Sequence, residues 1–333
     1  PGMAFDADSL DSSRNNFLLV LLPAEEPGTG SYCVSDITTG SLEFASYSSP
    51  EQLRDDLSLI QAREVAAPST AIGTSAWSQL LKDAGSEFFN CLTSSPDFYF
   101  HPRQGFDELC RHFGVLNLEG FGLAPNDPAM GAVGATFRII RDTQKQGDLR
   151  HLQPPAPRMR EGFLQLDEST IEHLDLFPKP GQNPAESVFH HLDRTSTAMG
   201  ARKLREILNR PLGKLASIRA RQSAVIELKS NSVLLRRIRE ELSGIRDLER
   251  LVAKIGLRSA QPRDLQALLQ VFSRLPALKT SLQDQGKAPL LCEIEREISP
   301  FSDLHEYLAL RLREELPRSE EHTSELQSHH DLV

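Results

Sequence analysis

Short apolar runs and helical spacings alternate along the first 140 residues. The continuous apolar run Asn16–Leu22 predicts a buried strand. Ser31–Asp36 and Ser41–Tyr47 are separated by Thr38-Thr39-Gly40, a pattern that indicates a hairpin. Ser49 and Pro50 then favour the start of a helix that runs to about Gln61. The chain therefore begins with strands that a helix covers.

The same alternation continues to residue 140. Glu64–Ala67 predicts a fourth strand and Phe98–Phe100 a fifth. Helices are expected at Trp77–Leu81, Phe106–Phe113 and Met130–Ile140, the last rich in Gly and Ala, which permits close packing. Strands followed by helices, with one hairpin, predict an α/β unit built on a mixed sheet.

The second half reads as all-α. The Gly- and Pro-rich stretch Gln146–Pro157 marks the boundary between the two units. Thr197 can cap a helix that ends near Asn209, and Pro276 should bend or end a later one. Further apolar stripes at helical spacing include Leu215, Ile218, Val225 and Leu228, then Ile238 to Ile255, Leu265 to Leu275, and Leu304, Leu308 and Leu312. Such one-sided helices are expected to pack into a bundle.

Composition is that of an ordinary globular chain of 333 residues, 39% hydrophobic and 25% charged. The four cysteines form no CxxC pair, which argues against a zinc site or disulfide framework and favours a cytoplasmic setting. No apolar run reaches membrane-spanning length. The opening Pro1-Gly2-Met3 is not a signal peptide, and we expect the chain to begin inside a longer protein.

Charge divides the chain differently. Residues 1–150 hold 10 Lys and Arg against 20 Asp and Glu, a net charge of −10. Arg194 to Arg263 holds 17 basic and 6 acidic residues, a net charge of +11. An acidic unit followed by a basic helical stretch suggests two modules that face different neighbours.

Several long phrases resemble the MutS family of DNA mismatch repair proteins. His112–Val115 (HFGV) and Leu118–Leu123 (LEGFGL), followed by the Gly/Ala-rich helix, resemble the end of its connector domain. Phe163–Asp167 (FLQLD) resembles the strand that enters its core. Leu192–Leu208 and Asp247–Leu268 (DLERLVAKIGLRSAQPRDLQAL) resemble two core phrases. The likeness is collinear from about Asn16 to Pro317.

The resemblance implies an α/β connector with a ribonuclease H-like mixed sheet, followed by an incomplete all-α core. The expected divisions are a leading linker at 1–15, the connector at 16–146, a linker at 147–160, the core and lever helices at 161–317, and a non-native tail at 318–333. In the tail, Arg318–Ser328 (RSEEHTSELQS) resembles the translation of a sequencing-adapter oligonucleotide.

The likeness also implies a role. In the family, these parts transmit nucleotide state between an ATPase and DNA-gripping domains, and the parent protein binds ATP, Mg²⁺, mismatched DNA and MutL, as a homodimer. No GxxxxGK[ST] phosphate loop occurs in this sequence, so we expect no catalysis by the chain itself.

Two sets of residues are singled out. The family motif positions, for which apolar and glycine patterns favour structural roles, are Gly120, Phe121, Gly122, Thr197, Met199, Gly200, Asp247, Arg263 and Asp264. The residues that could meet DNA phosphates are Arg202, Lys203, Arg205, Arg236, Arg237 and Arg239. The competing interpretation of the second set is a solvated helix face balanced by Glu240, Glu241 and Glu249.

Two other functions stay open. A free-standing binding module would be complete in this chain. A ribonuclease H-like nuclease would need several carboxylates converging on metal ions, for which Asp36, Glu43 and Asp97 are the candidates. Asp36 precedes a Thr-Thr-Gly turn, where an aspartate ordinarily caps the backbone.

Overall fold

A mixed sheet organises the first half of the chain. The computed structural model describes residues 2, 11–26, 28–74, 77, 91–144, 149–179, 181 and 183–312. The strands are β1 (Phe17–Pro23), β2 (Gly30–Asp36), β3 (Ser41–Tyr47), β4 (Glu64–Pro68), β5 (Leu92–Ser95) and β6 (Ala156–Pro157). Their order is β5-β4-β1-β2-β3-β6, with β1–β2 and β2–β3 antiparallel and the other neighbours parallel. The predicted first four strands, and the hairpin, are confirmed.

Alternation along β1 divides the sheet between two cores. Leu18 and Val20 point to one face, while Leu19 and Leu21 point to the other. All four side chains are buried because helices cover both faces. The continuous apolar run in the sequence is thus a strand with no solvent-facing side.

In the described part of the sheet unit, four helices have defined bounds. They are α1 (Pro50–Ile60), α2 (Ser69–Ile72), α3 (Pro102–Phe113) and α4 (Met130–Thr143). Ser49 caps α1 by accepting a hydrogen bond from the Gln52 amide at 3.2 Å. The Cα of Gly134 would lie 2.9 Å from a Cβ on Gly105, so α3 and α4 touch backbone to backbone. The close packing expected of the Gly/Ala-rich helix is confirmed.

The fifth strand was predicted in the wrong place. It is Leu92–Ser95, and residues 97–100 form a 3₁₀ turn instead. Arg138 on α4 explains the turn, since its Nη1 donates to the carbonyl oxygens of Phe98 at 3.0 Å and Tyr99 at 2.6 Å. In a strand, successive carbonyl groups point in opposite directions, so two neighbouring carbonyls could not both accept from one donor. Trp77 is buried against the α1 face, and residues 78–81 of the predicted helix lie outside the described residues.

The second half is helical, as predicted. Its helices are α5 (Glu168–His173), α6 (Val188–Leu192), α7 (Ala198–Asn209), α8 (Leu215–Ser230), α9 (Ser232–Ser243), α10 (Leu248–Gly256), α11 (Pro262–Gln285), α12 (Pro289–Glu297) and α13 (Ser302–Ala309). The apolar clusters here are small: one gathers Phe177 and Phe189 beside α7, and another joins α8, α11 and α12.

Three details of the helical half differ from expectation. Helix α11 continues through Pro276, whose side chain is exposed, so the proline does not end it. Val225 is 59% exposed, because α8 turns Ala224 and Leu228 toward its neighbours instead. Phe163–Asp167 is not a strand: Phe163 makes one isolated bridge with Leu212, and Asp167 caps α5.

The linker between the halves is fastened to the sheet from residue 149 onward. Leu149 and Leu152 are buried in the core under α4. The Gln153 amide donates to the Gly40 carbonyl at 2.8 Å, and β6 then pairs with β3. The two leucines thus anchor a stretch whose Gly- and Pro-rich composition indicated only a boundary between the units.

Candidate functional site

Charged side chains at the junction between the sheet and the helical half bind the linker from both sides. We call residues 156–164 the linker strap. On the sheet side, Arg158 Nη1 lies 2.5 Å from Glu43 Oε2, and Arg160 pairs with the buried Asp56. The Tyr32 hydroxyl also donates to Asp56, at 2.8 Å. Asp56 thus accepts from both the sheet and the strap.

The helical half holds the other side of the strap. Arg210, just after α7, donates to the Met159 carbonyl and stacks its guanidinium 4.4 Å from the centroid of the Phe163 ring. The Leu164 amide donates to the Pro211 carbonyl, and the Gly213 amide to the Gly162 carbonyl, both at 2.8 Å. Burial lowers the pKa of Arg210 first, and the nearby charge of Arg158 adds to this. The strap is therefore bonded to both halves along its length.

Neither partner set was predicted from the sequence. Arg160 and Asp56 are 104 residues apart, and the Met159–Arg210 contact joins residues 51 apart. A charged residue in a Pro-rich linker ordinarily indicates solvent exposure. The one usable signal is that the two arginines of the strap, Arg158 and Arg160, alternate as strand residues do.

A second contact centres on His151. Its Nε2 lies 3.1 Å from the Ile37 carbonyl oxygen, in the turn between β2 and β3. Gly256 of α10 packs over the ring, because a Cβ there would lie 2.6 Å from the His151 Cβ. Leu257 extends into the sheet core. Burial lowers the pKa of His151, against the raising effect of the Ile37 bond, and His112 lowers it further. The neutral ring is thus the form that joins α10 to the sheet.

Two of the six arginines and lysines proposed to meet DNA phosphates are buried. Arg202 bonds Asp247 through both Nη atoms, at 2.6 and 2.8 Å, and reaches Glu249 at 2.5 Å. Burial opposes the charge on Arg202, but the bonds and charges of these carboxylates outweigh it and raise its pKa. Arg205 stacks on Phe177 and Phe189 at 4.9 and 4.2 Å, and burial, aided by the charge of Arg14, lowers its pKa to about 10.

This placement contradicts the expectation for Arg202 and Arg205. A guanidinium enclosed by protein groups cannot also reach a phosphate in solution without giving up its present partners. Charge patterning failed here because the partner of Arg202, Asp247, is 45 residues away. Two of the glutamates expected to balance the basic helix face have other partners: Glu249 pairs with Arg202, and Glu241 lies 3.5 Å from Arg274.

The other four basic residues are exposed. Lys203 lies 2.8 Å from Glu206 on α7, and Arg239 donates to the Arg194 carbonyl at 3.3 Å. Arg236 and Arg237 project from α9 into solvent. Three of the exposed basic residues thus lie on α9, and Lys203 lies on another helix.

The connector motif is explained by one glycine rather than two. Gly122 has φ +78° at the end of a short 3₁₀ turn, a conformation that an L side chain rarely adopts. Gly120 has no atom within 4 Å of a built Cβ, so packing does not require it. Phe121 is partly buried, its ring 5.7 Å from that of Phe113.

The α7 motif is a capping device. Thr197 caps the helix by accepting from the Gly200 amide at 3.0 Å, as predicted. A Cβ on Gly200 would lie 3.0 Å from Thr197 Oγ1 and 3.2 Å from Thr195 Cβ. The small residue at position 200 therefore makes room for the capping threonine. Met199 is half-buried beside it.

The last motif also starts helices. Asp247 caps α10 and binds Arg202 with the same carboxylate. Asp264 accepts from the Gln261 amide at 2.9 Å at the start of α11 and lies 3.0 Å from Lys254 Nζ. Arg263 is exposed on the same turn. Asp247 thus ties the start of α10 to α7, and Asp264 ties the start of α11 to α10.

The three candidate nuclease carboxylates do not converge. Asp36 accepts from the Asn16 and Thr38 amides, and Glu43 pairs with Arg158, which directly follows β6. Asp97 follows β5, at the opposite end of the sheet, and accepts from the Thr70 amide at 3.1 Å. Within the described ranges, no group of three His, Cys, Asp or Glu side chains is placed to hold a metal ion.

A cleft of about 640 Å³ opens at the same junction, between the end of α1 and α5. Its charged lining residues are Arg14, Arg63, Lys179, Glu168 and Glu172. Its charges nearly cancel, so it offers no one-signed surface for a ligand. Of the part of the chain that the structure covers, no helix is both long and apolar enough to cross a membrane.

Comparison with known proteins gives matches along most of the chain. The model for MutS domain II matches residues 16–153, and the model for MutS domain III matches residues 169–331. The second match passes Pro317, where we expected the likeness to end, and includes the adapter-like Arg318–Ser328, which lies outside the described residues.

Full-length relatives agree with the domain matches. The chain is 31% identical over 321 residues to a DNA mismatch repair protein MutS of Lachnoclostridium phytofermentans, covering 95% of this chain. It is 34% identical over 296 residues to one of Solibacter usitatus, covering 87%. In both cases the chain spans about a third of the relative's length, 33%. A sheet unit matching domain II, followed by helices matching domain III, shows that the chain belongs to the MutS family.

Proposed function

We propose that this chain is the connector and core-helix part of a DNA mismatch repair protein, and that it couples ATPase state to mismatched-DNA binding without catalysis of its own. The matched relatives are named DNA mismatch repair proteins. In the complete protein, ATP and Mg²⁺ would bind outside this chain, which carries no phosphate-loop motif. We extend the proposal to a cytoplasmic homodimer that receives MutL.

The doubly bonded linker strap is the observation that carries the coupling proposal. A scaffold transmits displacement only where its parts move together, and a loose linker would absorb the motion. Here Asp56 on the sheet side and Arg210 on the helical side both hold the strap. Rotation of the sheet unit would therefore carry the start of the helical half with it.

The test uses the complete protein encoded by the gene. Arg160→Met removes the Asp56 contact, and Arg103→Met, on the exposed surface of α3, removes the same charge without touching the junction. We expect Arg160→Met to lower the stimulation of ATP turnover by mismatched over matched duplex several-fold. Equal stimulation in the two variants would contradict the coupling role.

Exposed basic residues of the helical half support a second part of the proposal, binding to the DNA backbone. Lys203, Arg236, Arg237 and Arg239 would supply phosphate contacts without reading sequence. Non-specific binding of this kind has a dissociation constant of about 10⁻⁴–10⁻⁶ M. The sheet half, at −10, should weaken it further at low salt.

Fluorescence anisotropy across a salt series tests this part. Replacing Arg236, Arg237 and Arg239 with alanine should reduce the salt slope by about 0.9 for each phosphate that these arginines neutralise in the wild type. The matched control replaces Arg63, Arg103 and Arg111, three exposed arginines of the sheet half, and should leave the slope unchanged. A tenfold preference of the chain for mismatched duplex, about 1.4 kcal/mol, would contradict purely backbone-directed binding.

A further inference from the structure

Residues 11–14, which we call the approach segment, lead into β1 but are held by the helical half. Arg250 of α10 donates through Nη2 to the carbonyl oxygens of Asp11 at 3.2 Å and Arg14 at 2.9 Å. Arg202 of α7 donates through Nη1 to the Ser12 carbonyl at 2.9 Å, across 190 residues of sequence. Two helices therefore bind three backbone carbonyls of a segment that is far from them along the chain.

The approach segment is shaped to offer those carbonyls. Asp11 Oδ1 accepts from the Ser13 amide at 2.9 Å and from its hydroxyl at 2.6 Å. The Arg14 amide donates back to the Asp11 carbonyl at 3.2 Å. This local turn satisfies the Ser13 and Arg14 amides from within, and the carbonyl oxygens still accept from the arginines, the one of Asp11 as a second bond.

Burial and contacts with Asp247 hold both arginine side chains in place. Arg250 is 6% exposed and Arg202 is 5% exposed, so neither can swing into solvent without unpacking its helix. Asp247 anchors both, through two bonds to Arg202 and a 3.7 Å approach to Arg250 Nε. A guanidinium held on one side by a carboxylate is a directed donor on the other.

The sheet binds the next two residues of the chain. Asp36 at the end of β2 accepts from Asn15 Nδ2 and from the Asn16 amide, both at 3.0 Å. The chain is thus held by the helical half up to Arg14 and by the sheet from Asn15. The holding partner therefore changes from the helical half to the sheet across the single peptide bond between Arg14 and Asn15.

We propose that the approach segment is a direct mechanical input to the helical core, parallel to the linker strap, with Arg250 as its positioning residue. Displacement of the chain ahead of β1 would reach α7 and α10 without passing through the sheet. The inference rests on the proposed coupling function for its use, but the restraint itself can be tested on this chain alone.

Trypsin provides that test, because Arg14 is a cleavage site whose own carbonyl oxygen accepts from Arg250. Cleavage between Arg14 and Asn15 requires that carbonyl to be free. We expect Arg250→Met to speed this cleavage at least tenfold, measured by mass spectrometry. Arg246→Met, which removes an equal charge from the exposed turn before α10, should cleave at the wild-type rate. Equal rates in the two variants would overturn the proposal.

A second variant covers the case in which Arg250→Met disturbs folding. Asp11→Ala breaks the turn of the approach segment and leaves every residue of the helical half intact. It should also speed cleavage after Arg14 while the urea midpoint stays at the wild-type value. Unchanged cleavage in Asp11→Ala would count against a restrained segment.

The functional consequence is measured in the complete protein. We expect Arg250→Met to lower mismatch-stimulated ATP turnover several-fold relative to Arg246→Met, with unstimulated turnover equal in both. Absence of stimulation in the wild type would reject the coupling function. Full stimulation in Arg250→Met, together with faster cleavage after Arg14, would reject only the approach segment as its input.

Discussion

Buried apolar side chains dominate the sheet half, whereas the helical half combines small apolar clusters with polar contacts. Leu19, Leu53 and Leu57 are among many fully buried residues on one face of the sheet alone. The helical clusters are small, and large apolar residues such as Ile226 and Leu310 stay exposed at 63% and 84%. Helix caps and the Arg202–Asp247 pair supply the order that burial does not.

The contrast indicates where each half can tolerate change. A buried apolar cluster loses stability in proportion to the volume removed, wherever the change is made. A buried ion pair concentrates its effect in a few atoms, because removing one partner leaves the other charged and unsolvated. Four experiments test that difference, in order of expected size.

The largest effect is expected from Arg202→Met. It removes both hydrogen bonds from Arg202 to Asp247 and leaves Asp247 with the 3.7 Å approach of Arg250 as its ion pair, and breaking such a pair costs about 3–5 kcal/mol. Urea unfolding followed by circular dichroism measures the destabilisation. Adding Asp247→Asn should restore part of the stability, whereas a decrease of under about 1 kcal/mol would show that the pair is screened like a surface ion pair.

Two aliphatic side chains compare burial in the two halves directly. Leu57→Ala on α1 should cost about 2–5 kcal/mol, because it opens a cavity in a fully buried cluster. Ile226→Ala on α8, where the side chain is 63% exposed, should change stability by less than about 0.5 kcal/mol. Urea unfolding measures both, and similar destabilisation in the two variants would remove the contrast.

The two motif glycines should differ although they are two residues apart. Gly122→Ala places a side chain at φ +78°, which costs about 1–2 kcal/mol. Gly120→Ala meets open space and should be neutral. Thermal unfolding of the two variants decides the point, and a larger destabilisation at Gly120 would mean that the turn is placed differently.

The smallest effect concerns pH. Because burial lowers the pKa of His151 in the folded chain, the neutral ring stabilises the fold above the ordinary histidine pKa. That contribution is lost as pH falls below about 6.5 toward the folded pKa. Between pH 7.5 and 5.5, the free energy of unfolding should therefore decrease more steeply in the wild type than in His151→Gln. If the free energy of unfolding depends on pH equally in the wild type and in His151→Gln, the His151 ring is exposed to solvent.

Local patterns predicted the elements and missed the contacts between them. The hairpin, the Thr197 cap and the α3–α4 approach each depend on residues near in sequence. The fifth strand was misplaced because its Leu92–Ser95 carries one large apolar residue, while aromatic Phe98–Phe100 resembles a strand until Arg138 binds its carbonyls. No neighbouring residue carries that information.

The placement of charged residues was harder to predict, because it too depends on partners that are distant in sequence. A basic helix predicts a solvated or DNA-facing surface equally well, and only distant partners separate the outcomes. Arg236 and Arg237 are exposed as either interpretation requires, whereas Arg202 reaches Ser12, 190 residues away. Sequence spacing could not distinguish a buried basic residue from an exposed one on the same helix.

The short strand β6 has a practical consequence for anyone dividing this chain. It pairs in parallel with Glu43 and Phe44, the outer row of β3. A recombinant connector cut before residue 156 would leave those main-chain groups without their neighbour, along a strand rich in aromatic and aliphatic residues. An edge strand with unpaired main-chain groups tends to pair with the strands of other chains, which leads to aggregation. Such a piece should precipitate at concentrations where one extended past Arg158 stays dispersed.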